Sequence, residues 1–251
     1  MDSAFISRFV YNLTSMLMEK QKYAVLVAGG SGSRMGSDIP KQFLPLMGKP
    51  ILLHTIEQFL KVDGIYIIVV LPEKDIDFWH EIIRHEDFEH PELDSLTLVE
   101  GGQTRFQSVR NGLAHVPDNA LVAIHDGVRP LIDIKTIIQS FEIAAETGSA
   151  VTSVPLKDSI RETGENGTNR ALERGKYRLM QTPQTFSSDV IKQAYKAAEQ
   201  SFFTDCASVL EFVGHPVNLI DGTYENLKIT TPEDMIIAEA LLRRSHLYKQ
   251  S

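Results

Sequence analysis

The sequence has one cysteine and no surplus of basic residues. Cys206 alone can form neither an internal disulfide bond nor a cysteine-based zinc site, and this usage suits a reducing cytoplasm. The 25 basic and 33 acidic residues give a net charge of −8. Nucleic acid and anionic membranes attract proteins with a positive field, so neither is an expected partner. An anionic ligand would need a local cluster of Lys and Arg.

Long uninterrupted apolar runs are also absent. The first 20 residues are rich in apolar side chains, but Arg8, Asn12 and Thr14 interrupt them. Neither a signal-peptide core nor a transmembrane span of about 20 residues is therefore predicted. We expect residues 1–21 to be an N-terminal extension and residues 22–251 to form a single domain, because a chain of this length can bury a full core.

Two standard phosphate-binding motifs do not fit the sequence. The G-x-G-x-x-G pattern would place glycine where Met35 stands, which counts against a dinucleotide-binding dehydrogenase. The G-x-x-x-x-G-K-[ST] pattern is broken because Pro50 follows Gly48 and Lys49. A phosphate site in this chain would have to be built in another way.

The strongest phosphate-binding signal is an apolar stretch that ends in glycines. Residues 23–28 (YAVLVA) predict a buried strand. The glycines that follow it are Gly29, Gly30 and Gly32. Glycine lets the backbone turn sharply, so that successive N–H groups can point at phosphate oxygens, and Arg34 and Lys41 add positive charge. A triphosphate is the ligand that most needs both features; the alternative is a tight turn beside solvated basic side chains.

Alternating segments predict a mostly parallel sheet flanked by helices. Further strands are expected at 65–71, 96–99, 121–124, 150–154 and 217–220. Helices are expected at 50–60, 78–83, 106–116, 134–147, 189–200, 207–213 and from residue 232 onward. Thr204 is the expected cap of the helix over 207–213.

Two polar sequences follow predicted strands, at the sheet edge where the ligands of open parallel sheets collect. The sequence GGQTR at 101–105 leads into a helix start, which favours anions, and Ser108 there either contacts a nucleotide or caps the helix. In HDGVRP at 125–130, Asp126 can hold Mg²⁺ between phosphates and Arg129 can bind a phosphate. The alternative for this second sequence is an Asp–Arg surface pair.

The segment 157–176 is polar, rich in turn residues and poor in core residues. A loop of this length without a core of its own is typical of a functional loop or an interaction arm. Its two flanks are expected to pair as a hairpin that needs another surface to be stable. We expect residues 156–182 to form this arm.

From about Tyr23 to Arg244, the chain resembles the 2-C-methyl-D-erythritol 4-phosphate cytidylyltransferases of the non-mevalonate isoprenoid pathway. The resemblance rests on the motifs VAGGSGSRM, PKQF, GGQTRFQSV, HDGVRP, VPLKDSI, QTPQTF, TDCAS and NLKITTPEDM. It implies a Rossmann-like α/β fold of the nucleotidyltransferase type with a protruding β-arm. It also implies transfer of the cytidylyl group of CTP to that sugar phosphate, with Mg²⁺ bridging the triphosphate and pyrophosphate leaving.

The resemblance and the residue chemistry together indicate the candidate site residues. The candidate catalytic residues are Arg34, Lys41 and Lys228. The candidate nucleotide-binding residues are Ala28, Gly29, Gly30, Gly32, Arg34, Lys41, Gly102, Arg105, Ser108 and Asp126. The candidate residues for the sugar phosphate are Asp126, Arg129, Ser159, Arg174, Thr182, Thr204 and Lys228. Asp126 is also the candidate metal ligand.

The resemblance further implies a homodimer with exchanged arms, in which Ser159 and Arg174 of one subunit reach the substrate of the other. The chain departs from the family at two places: the family commonly has Ala-Ala where Gly127 and Val128 stand, and threonine where Ser159 stands. Serine keeps the hydroxyl group. Three alternatives stay open: a ribitol 5-phosphate cytidylyltransferase, a sugar nucleotidyltransferase that uses UTP or GTP, and a nucleotide-sensing protein without catalysis.

Overall fold

The computed structural model describes residues 20–30, 35–37, 39–85, 93 and 95–249 of the 251-residue chain. Most of the predicted N-terminal extension therefore lies outside the described residues, and so do Gly32 and Arg34 of the glycine-rich loop. Within these ranges, no helix is both long enough and apolar enough to cross a membrane.

Strands and helices alternate through most of the described chain. The strands are β1 (Lys22–Val27), β2 (Pro45–Leu46), β3 (Lys49–Pro50), β4 (Ile65–Leu71), β5 (Thr97–Glu100), β6 (Leu121–Asp126), β7 (Ser149–Pro155), β8 (Arg161–Thr163), β9 (Asn169–Ala171), β10 (Arg178–Ser187) and β11 (Leu219–Asp221). The helices are α1 (Ile51–Phe59), α2 (Glu73–His85), α3 (Arg105–Leu113), α4 (Ile134–Thr147), α5 (Ser188–Ala194), α6 (Cys206–Phe212) and α7 (Pro232–Lys249).

Seven strands form one central sheet in the order β11-β7-β10-β6-β1-β4-β5. Neighbours pair in parallel except at β10, which is antiparallel to both β6 and β7. Parallel strands need crossover connections, and here the connections are helices. The predicted mostly parallel sheet flanked by helices is therefore confirmed.

Side chains of the central strands alternate between two apolar cores, as the pleat requires. In β1, Ala24 and Leu26 face the core that is covered by α1, α2 and α4, whereas Val25 faces the core covered by α3, α5 and α6. All three side chains are fully buried. Both faces of the sheet are thus closed by helices, and its carboxyl edge is the place where strand ends and loops can form a site.

The largest departure from the sequence-based expectation is strand β10. No strand was predicted over its sequence, RLMQTPQTFS, and residues 178–182 were placed in the arm instead. The polar Gln and Thr side chains break the apolar pattern that predicts a buried strand. Pro183 also argues against a strand, because proline has no N–H to donate to a neighbouring strand. The structure accommodates Pro183 at an irregularity, since the register with β7 shifts between Met180 and Gln184.

Several predicted boundaries also need correction. Helix α2 begins at Glu73, five residues before the predicted start at 78. The prediction missed the first turn because polar residues occupy it. Helix α5 ends at Ala194 rather than at 200. The cap of α6 is Asp205 and not Thr204: the Asp205 carboxylate accepts from the N–H of Ser208 at 2.9 Å, and a carboxylate at this position satisfies an amide that the helix leaves unpaired.

The arm contains the predicted hairpin. Strands β8 and β9 pair antiparallel, and all six of their residues are exposed. The turn between them is closed by the N–H of Gly164, which donates to the carbonyl of Thr168 at 2.9 Å. Of the segment 156–182, residues 178–182 lie in β10 of the central sheet. The part that leaves the sheet is therefore residues 156–177, called the arm below.

Candidate active site

Two adjoining cavities lie at the carboxyl edge of the central sheet. The first, about 230 Å³, is lined by residues that include three glycines, and we call it the glycine cavity. Its lining is Val27, Ala28, Gly29, Gly30, Lys41, Gly102, Gln103, Thr104, Arg105, Ser108, Asp126, Val128 and Lys228. It lies where β1, β5 and β6 end, as expected for a ligand site of an open parallel sheet.

The second cavity, about 250 Å³, lies beside the first, and we call it the threonine cavity. Its lining is Arg105, Asp126, Arg129, Met180, Gln181, Thr182, Gln184, Thr204, Asp205 and Lys228. Strand β10, the one that sequence patterns did not reveal, supplies four of these residues. Arg105, Asp126 and Lys228 line both cavities and therefore mark their junction.

Asp126 is the centre of a group of charges at this junction, called the Asp126 cluster. Its Oδ2 lies 3.0 Å from Nζ of Lys228 and 3.3 Å from Nε of Arg129, and its Oδ1 lies 3.5 Å from Nε of Arg105. Burial alone would raise the pKa of Asp126, but the three cations together hold it well below its ordinary value. The cluster thus carries one ionised carboxylate and three positive charges.

The position of Asp126 is fixed by its neighbours as well as by charge. Its backbone N–H donates to Oγ1 of Thr182 at 3.1 Å, which links β6 to β10. Arg129 is 9% exposed and donates through Nη1 to the backbone carbonyl of Asn226 at 2.8 Å. Asn226 in turn donates through Nδ2 to the carbonyl of Thr182 at 2.8 Å. These bonds close a ring around the junction, so the charges are held before any ligand arrives.

The glycine cavity brings Lys41 next to the loop that follows β1. A Cβ atom on Gly30 would lie 3.1 Å from Cε of Lys41, so a side chain at position 30 would press on the lysine stem. Lys41 is 8% exposed, and its turn is held by Gln42, which donates to Oδ2 of Asp75 at 3.1 Å. The predicted pairing of a glycine backbone with a lysine is therefore present in the described residues.

The other wall of the glycine cavity is the start of helix α3. Thr104 caps this helix, because its Oγ1 accepts from the N–H of Gln107 at 3.1 Å. Ser108 donates to the carbonyl of Thr104 at 2.9 Å and accepts from the N–H of Gly102 at 3.1 Å. A Cβ on Gly102 would lie 2.3 Å from Cβ of Gln107, so only glycine fits there. Ser108 thus shapes the loop, and the remaining amides of this helix start favour an anion.

His125 lies beside Asp126 but cannot exchange protons near neutral pH. It is fully buried, its ring packs edge-on against Phe59, and its Nε2 is 3.3 Å from the carbonyl oxygen of Arg129. Burial lowers the pKa of His125 to about 3, and the nearby Asp126 carboxylate only partly offsets this. The site therefore offers fixed charges, and His125 is not suited to act as an acid or a base there.

Most predicted site residues meet at this edge. Those in the glycine cavity are Ala28, Gly29, Gly30, Lys41, Gly102, Arg105, Ser108, Asp126 and Lys228. Those in the threonine cavity are Arg105, Asp126, Arg129, Thr182, Thr204 and Lys228. Ser159 and Arg174 lie exposed on the arm and line neither cavity of their own chain.

Sequence reasoning gave no supporting role to Gln184 and Asn226. Gln184 is 1% exposed, and its Oε1 accepts from the first N–H group of α6 at 2.9 Å. Asn226 is fully buried and connects Arg129 to Thr182, as described above. Both residues stand inside the motifs QTPQTF and NLKITTPEDM. An amide side chain alone does not reveal which backbone groups it will bind, so only the fold could show these roles.

The residues of the junction offer one carboxylate, that of Asp126, to a magnesium ion. In the part of the chain that the structure describes, no group of three His, Cys, Asp or Glu side chains could hold a metal ion. Mg²⁺ commonly keeps several waters and binds through one or two carboxylates together with substrate phosphates. Asp126 lines both cavities and can supply one such carboxylate.

Curated proteins of known name cover nearly the whole chain. The 2-C-methyl-D-erythritol 4-phosphate cytidylyltransferase of Porphyromonas gingivalis strain W83 is 47% identical over 227 residues, which are 90% of this chain and 99% of the relative. The protein of the same name from Bacteroides thetaiotaomicron is 45% identical over 219 residues, 87% of this chain and 98% of the relative.

Solved structures give the same assignment. The 4-diphosphocytidyl-2C-methyl-D-erythritol synthase of Anaerococcus prevotii matches with a TM-score of 0.75 and 28% identity, covering 89% of this chain and 96% of that one. The 2-C-methyl-D-erythritol 4-phosphate cytidylyltransferase of Thermus thermophilus matches with a TM-score of 0.68 and 29% identity, covering 87% and 98%. A family model, described as 2-C-methyl-D-erythritol 4-phosphate cytidylyltransferase, matches residues 23–244. The chain belongs to the 2-C-methyl-D-erythritol 4-phosphate cytidylyltransferase family.

Proposed function

We propose that this chain transfers the cytidylyl group of CTP to 2-C-methyl-D-erythritol 4-phosphate, giving 4-diphosphocytidyl-2-C-methyl-D-erythritol and pyrophosphate. The observation that best supports this reaction at this site is the junction of the two cavities at Arg105, Asp126 and Lys228. A transfer between two anionic substrates needs two adjoining pockets with cations between them. The glycine and threonine cavities have this arrangement.

The glycine cavity is suited to the triphosphate. The backbone at Gly29 and Gly30 approaches the cavity without side chains, and Lys41 adds a charge that is already in place. Mg²⁺ would arrive with the triphosphate and bind Asp126, where it would neutralise charge on the phosphates. Arg34 was expected to share this role and lies outside the described residues.

The threonine cavity is suited to the sugar phosphate. Arg129 can bind a phosphate through its guanidinium, and the hydroxyl groups of Thr182 and Thr204 can hydrogen-bond to the sugar alcohol or its phosphate. Lys228 is 40% exposed at the junction, so its ammonium group is accessible to the phosphates of both substrates. The four cations Lys41, Arg105, Arg129 and Lys228 outnumber the two carboxylates of the cavities, Asp126 and Asp205.

The reaction needs no protein base. A phosphate oxygen of the sugar phosphate forms a bond to the α-phosphorus of CTP, and the bond from that phosphorus to the oxygen of the leaving pyrophosphate breaks. The nucleophile is already an anion near pH 7. The protein therefore has to align two anions and stabilise the charge on the bridging oxygens. The buried, neutral His125 is consistent with a reaction in which the protein supplies no base.

Pyrophosphate release tests the reaction. With Mg²⁺, we expect release from CTP and 2-C-methyl-D-erythritol 4-phosphate, and much slower release when ribitol 5-phosphate replaces the sugar phosphate or when UTP, GTP or ATP replaces CTP. Absence of release with the methylerythritol substrate, while ribitol 5-phosphate supports turnover, would reassign the substrate. Absence with every pair would leave a nucleotide-binding protein without catalysis.

We further propose that the active form is a cytoplasmic homodimer in which each arm reaches the other subunit's site. The support is that the arm is exposed and that Ser159 and Arg174 line neither cavity of their own chain. A polar hairpin of this kind is stable only against another surface. The position of the two side chains is explained if their target lies on a second copy of the chain.

Mixed dimers test this exchange. Lys228→Ala disables the site of its own subunit, whereas Arg174→Ala disables the site that its arm reaches. Random mixing of the two variants gives half mixed dimers, each with one complete site, so about a quarter of wild-type turnover should return. Without arm exchange, no site contains both side chains and turnover stays at the level of the separate variants. Light scattering on each sample gives the oligomeric state directly.

A further inference from the structure

Arg105 is held from two sides at the junction of the cavities. Its Nε faces Oδ1 of Asp126 at 3.5 Å, and its Nη1 donates to Sγ of Cys206 at 3.4 Å. Because the guanidinium is planar and rigid, fixing two of its nitrogen atoms also fixes the plane and the direction of the remaining N–H groups. A carboxylate and a thiol together thus set the orientation of this side chain.

Cys206 is itself held in place by two hydrogen bonds. Its Sγ accepts from the hydroxyl of Tyr195 at 3.3 Å, and its backbone N–H donates to Oε1 of Gln184 at 2.9 Å. Cys206 is fully buried, and the ring of Tyr195 stacks on Phe106 with centroids 4.7 Å apart. Phe106 follows Arg105 in helix α3, so the same contacts tie α3 to α6.

Resting on the proposed function, we infer that Cys206 is a positioning residue for the cytidylyl transfer, which orients the guanidinium of Arg105 toward the phosphorus that is transferred. The transfer gains from donors that are fixed before the reaction begins, because such donors need no reorganisation as charge develops. Tyr195 and Gln184 keep the sulfur from moving when Arg105 is drawn toward a phosphate. Cys206 touches no substrate and acts only through Arg105.

Three variants separate this role from simple packing. Cys206→Ala removes the sulfur, Cys206→Ser keeps an acceptor for both donors, and Val209→Ala is the matched control. Val209 lies on the same helix, is 1% exposed and packs in the core that also contains Cys206, so its truncation leaves a cavity but removes no hydrogen-bond acceptor of Arg105. Melting temperatures should fall for Cys206→Ala and for Val209→Ala alike.

Turnover should distinguish them. We expect kcat to fall about tenfold in Cys206→Ala with the KM for CTP nearly unchanged, because the misdirected donor matters most in the transition state. Val209→Ala should keep kcat within about twofold of wild type, and Cys206→Ser should recover most of the loss. The inference is overturned if Cys206→Ala turns over like Val209→Ala, or if serine rescues nothing.

A second measurement does not depend on turnover. The Nε–H proton of Arg105, assigned in the NMR spectrum by its loss in Arg105→Lys, should exchange slowly with solvent in wild type and in Val209→Ala. It should exchange several-fold faster in Cys206→Ala, since one of the two anchors is gone. Unchanged exchange would overturn the inference even if the chain proved inactive with CTP, whereas an inactive wild type with faster exchange in Cys206→Ala would overturn only the proposed function.

Discussion

The Asp126 cluster and the arm are both rich in charge, but they are built in opposite ways. In the cluster, a buried carboxylate meets three cations, and hydrogen bonds from Thr182 and Asn226 hold the surrounding backbone. In the arm, the ion pairs Arg170–Glu162 and Lys176–Glu173 are more than half exposed on both sides. Exposed pairs contribute about 0–1 kcal/mol, whereas breaking a buried set is costly. The Asp126 cluster is complete within one chain, whereas the arm packs little of its surface against the rest of its own chain.

The sharpest test of this contrast is Asp126→Asn. It leaves three cations facing one another without a counter-charge, so the free energy of unfolding should fall by about 3–5 kcal/mol. The matched control is Asp118→Asn, which breaks the ion pair between an exposed carboxylate and Lys192 and should lower the free energy of unfolding far less. Urea denaturation of both variants gives the two values. Equal losses would mean that the Asp126 cluster contributes no more to the free energy of unfolding than a surface ion pair does.

Lys41→Ala tests the glycine cavity. We expect turnover to fall about a hundredfold, or about 3 kcal/mol of barrier, because a positive charge aimed at the triphosphate is lost. Lys41→Met retains most of the buried stem, so it should lose turnover equally while remaining closer to wild type in melting temperature. The control is Lys61→Ala, an exposed lysine bonded to Gln58. Near-normal turnover in Lys41→Met would remove Lys41 from the mechanism.

The arm should respond differently from the cluster. Arg174→Ala is expected to lower turnover about tenfold with little change in melting temperature, because in the proposed dimer its side chain acts in the site of the other subunit. Arg174 also donates to the carbonyl of Lys157 near the arm base, and Arg170 pairs with Glu162 within the hairpin. Arg170→Ala should therefore leave turnover unchanged. An equal effect of the two variants would indicate that the arm acts only through its overall fold.

The smallest expected effect is the loss of stability in mild acid. It arises from His125, which lies beside the Asp126 cluster. An unfolded chain protonates His125 below about pH 6.5, whereas in the folded chain its pKa is about 3, so acid favours unfolding between these values. From pH 6.5 to 5.5 this residue should cost about 1 kcal/mol of unfolding free energy. His125→Asn should flatten that slope in denaturation curves. The arm contains no histidine that could act in the same way.

Much of the fold was predictable because apolar runs that end in glycine or proline mark buried parallel strands. The segments at β1, β4 and β6 gave clear signals, and they carry Gly29, Gly30 and Asp126 to the same edge. Those residues could be grouped from sequence, since carboxyl ends of parallel strands meet. Lys41 was grouped with the glycine loop because it follows that loop closely in the chain. Lys228 was grouped with them only by the resemblance, because nothing in its own neighbourhood indicates that it converges on this edge.

Strand β10 could not be predicted for a physical reason. It is a central strand whose buried positions hold Gln181, Thr182, Gln184 and Thr185, each satisfied by a hydrogen bond that only the folded chain provides. Hydrophobic patterns detect strands that are buried among apolar groups and fail where burial depends on polar partners. The supporting roles of Gln184 and Asn226 were missed for the same reason.

Strand β10 also has a mechanical consequence. Its first residue, Arg178, continues directly from the arm, and a few residues later the same backbone forms the wall that carries Thr182 and Gln184. A movement of the arm base would therefore reach the threonine cavity through only a few residues of one strand. In the proposed dimer, docking of an arm on its neighbour would therefore also act on the threonine cavity of the subunit from which that arm departs.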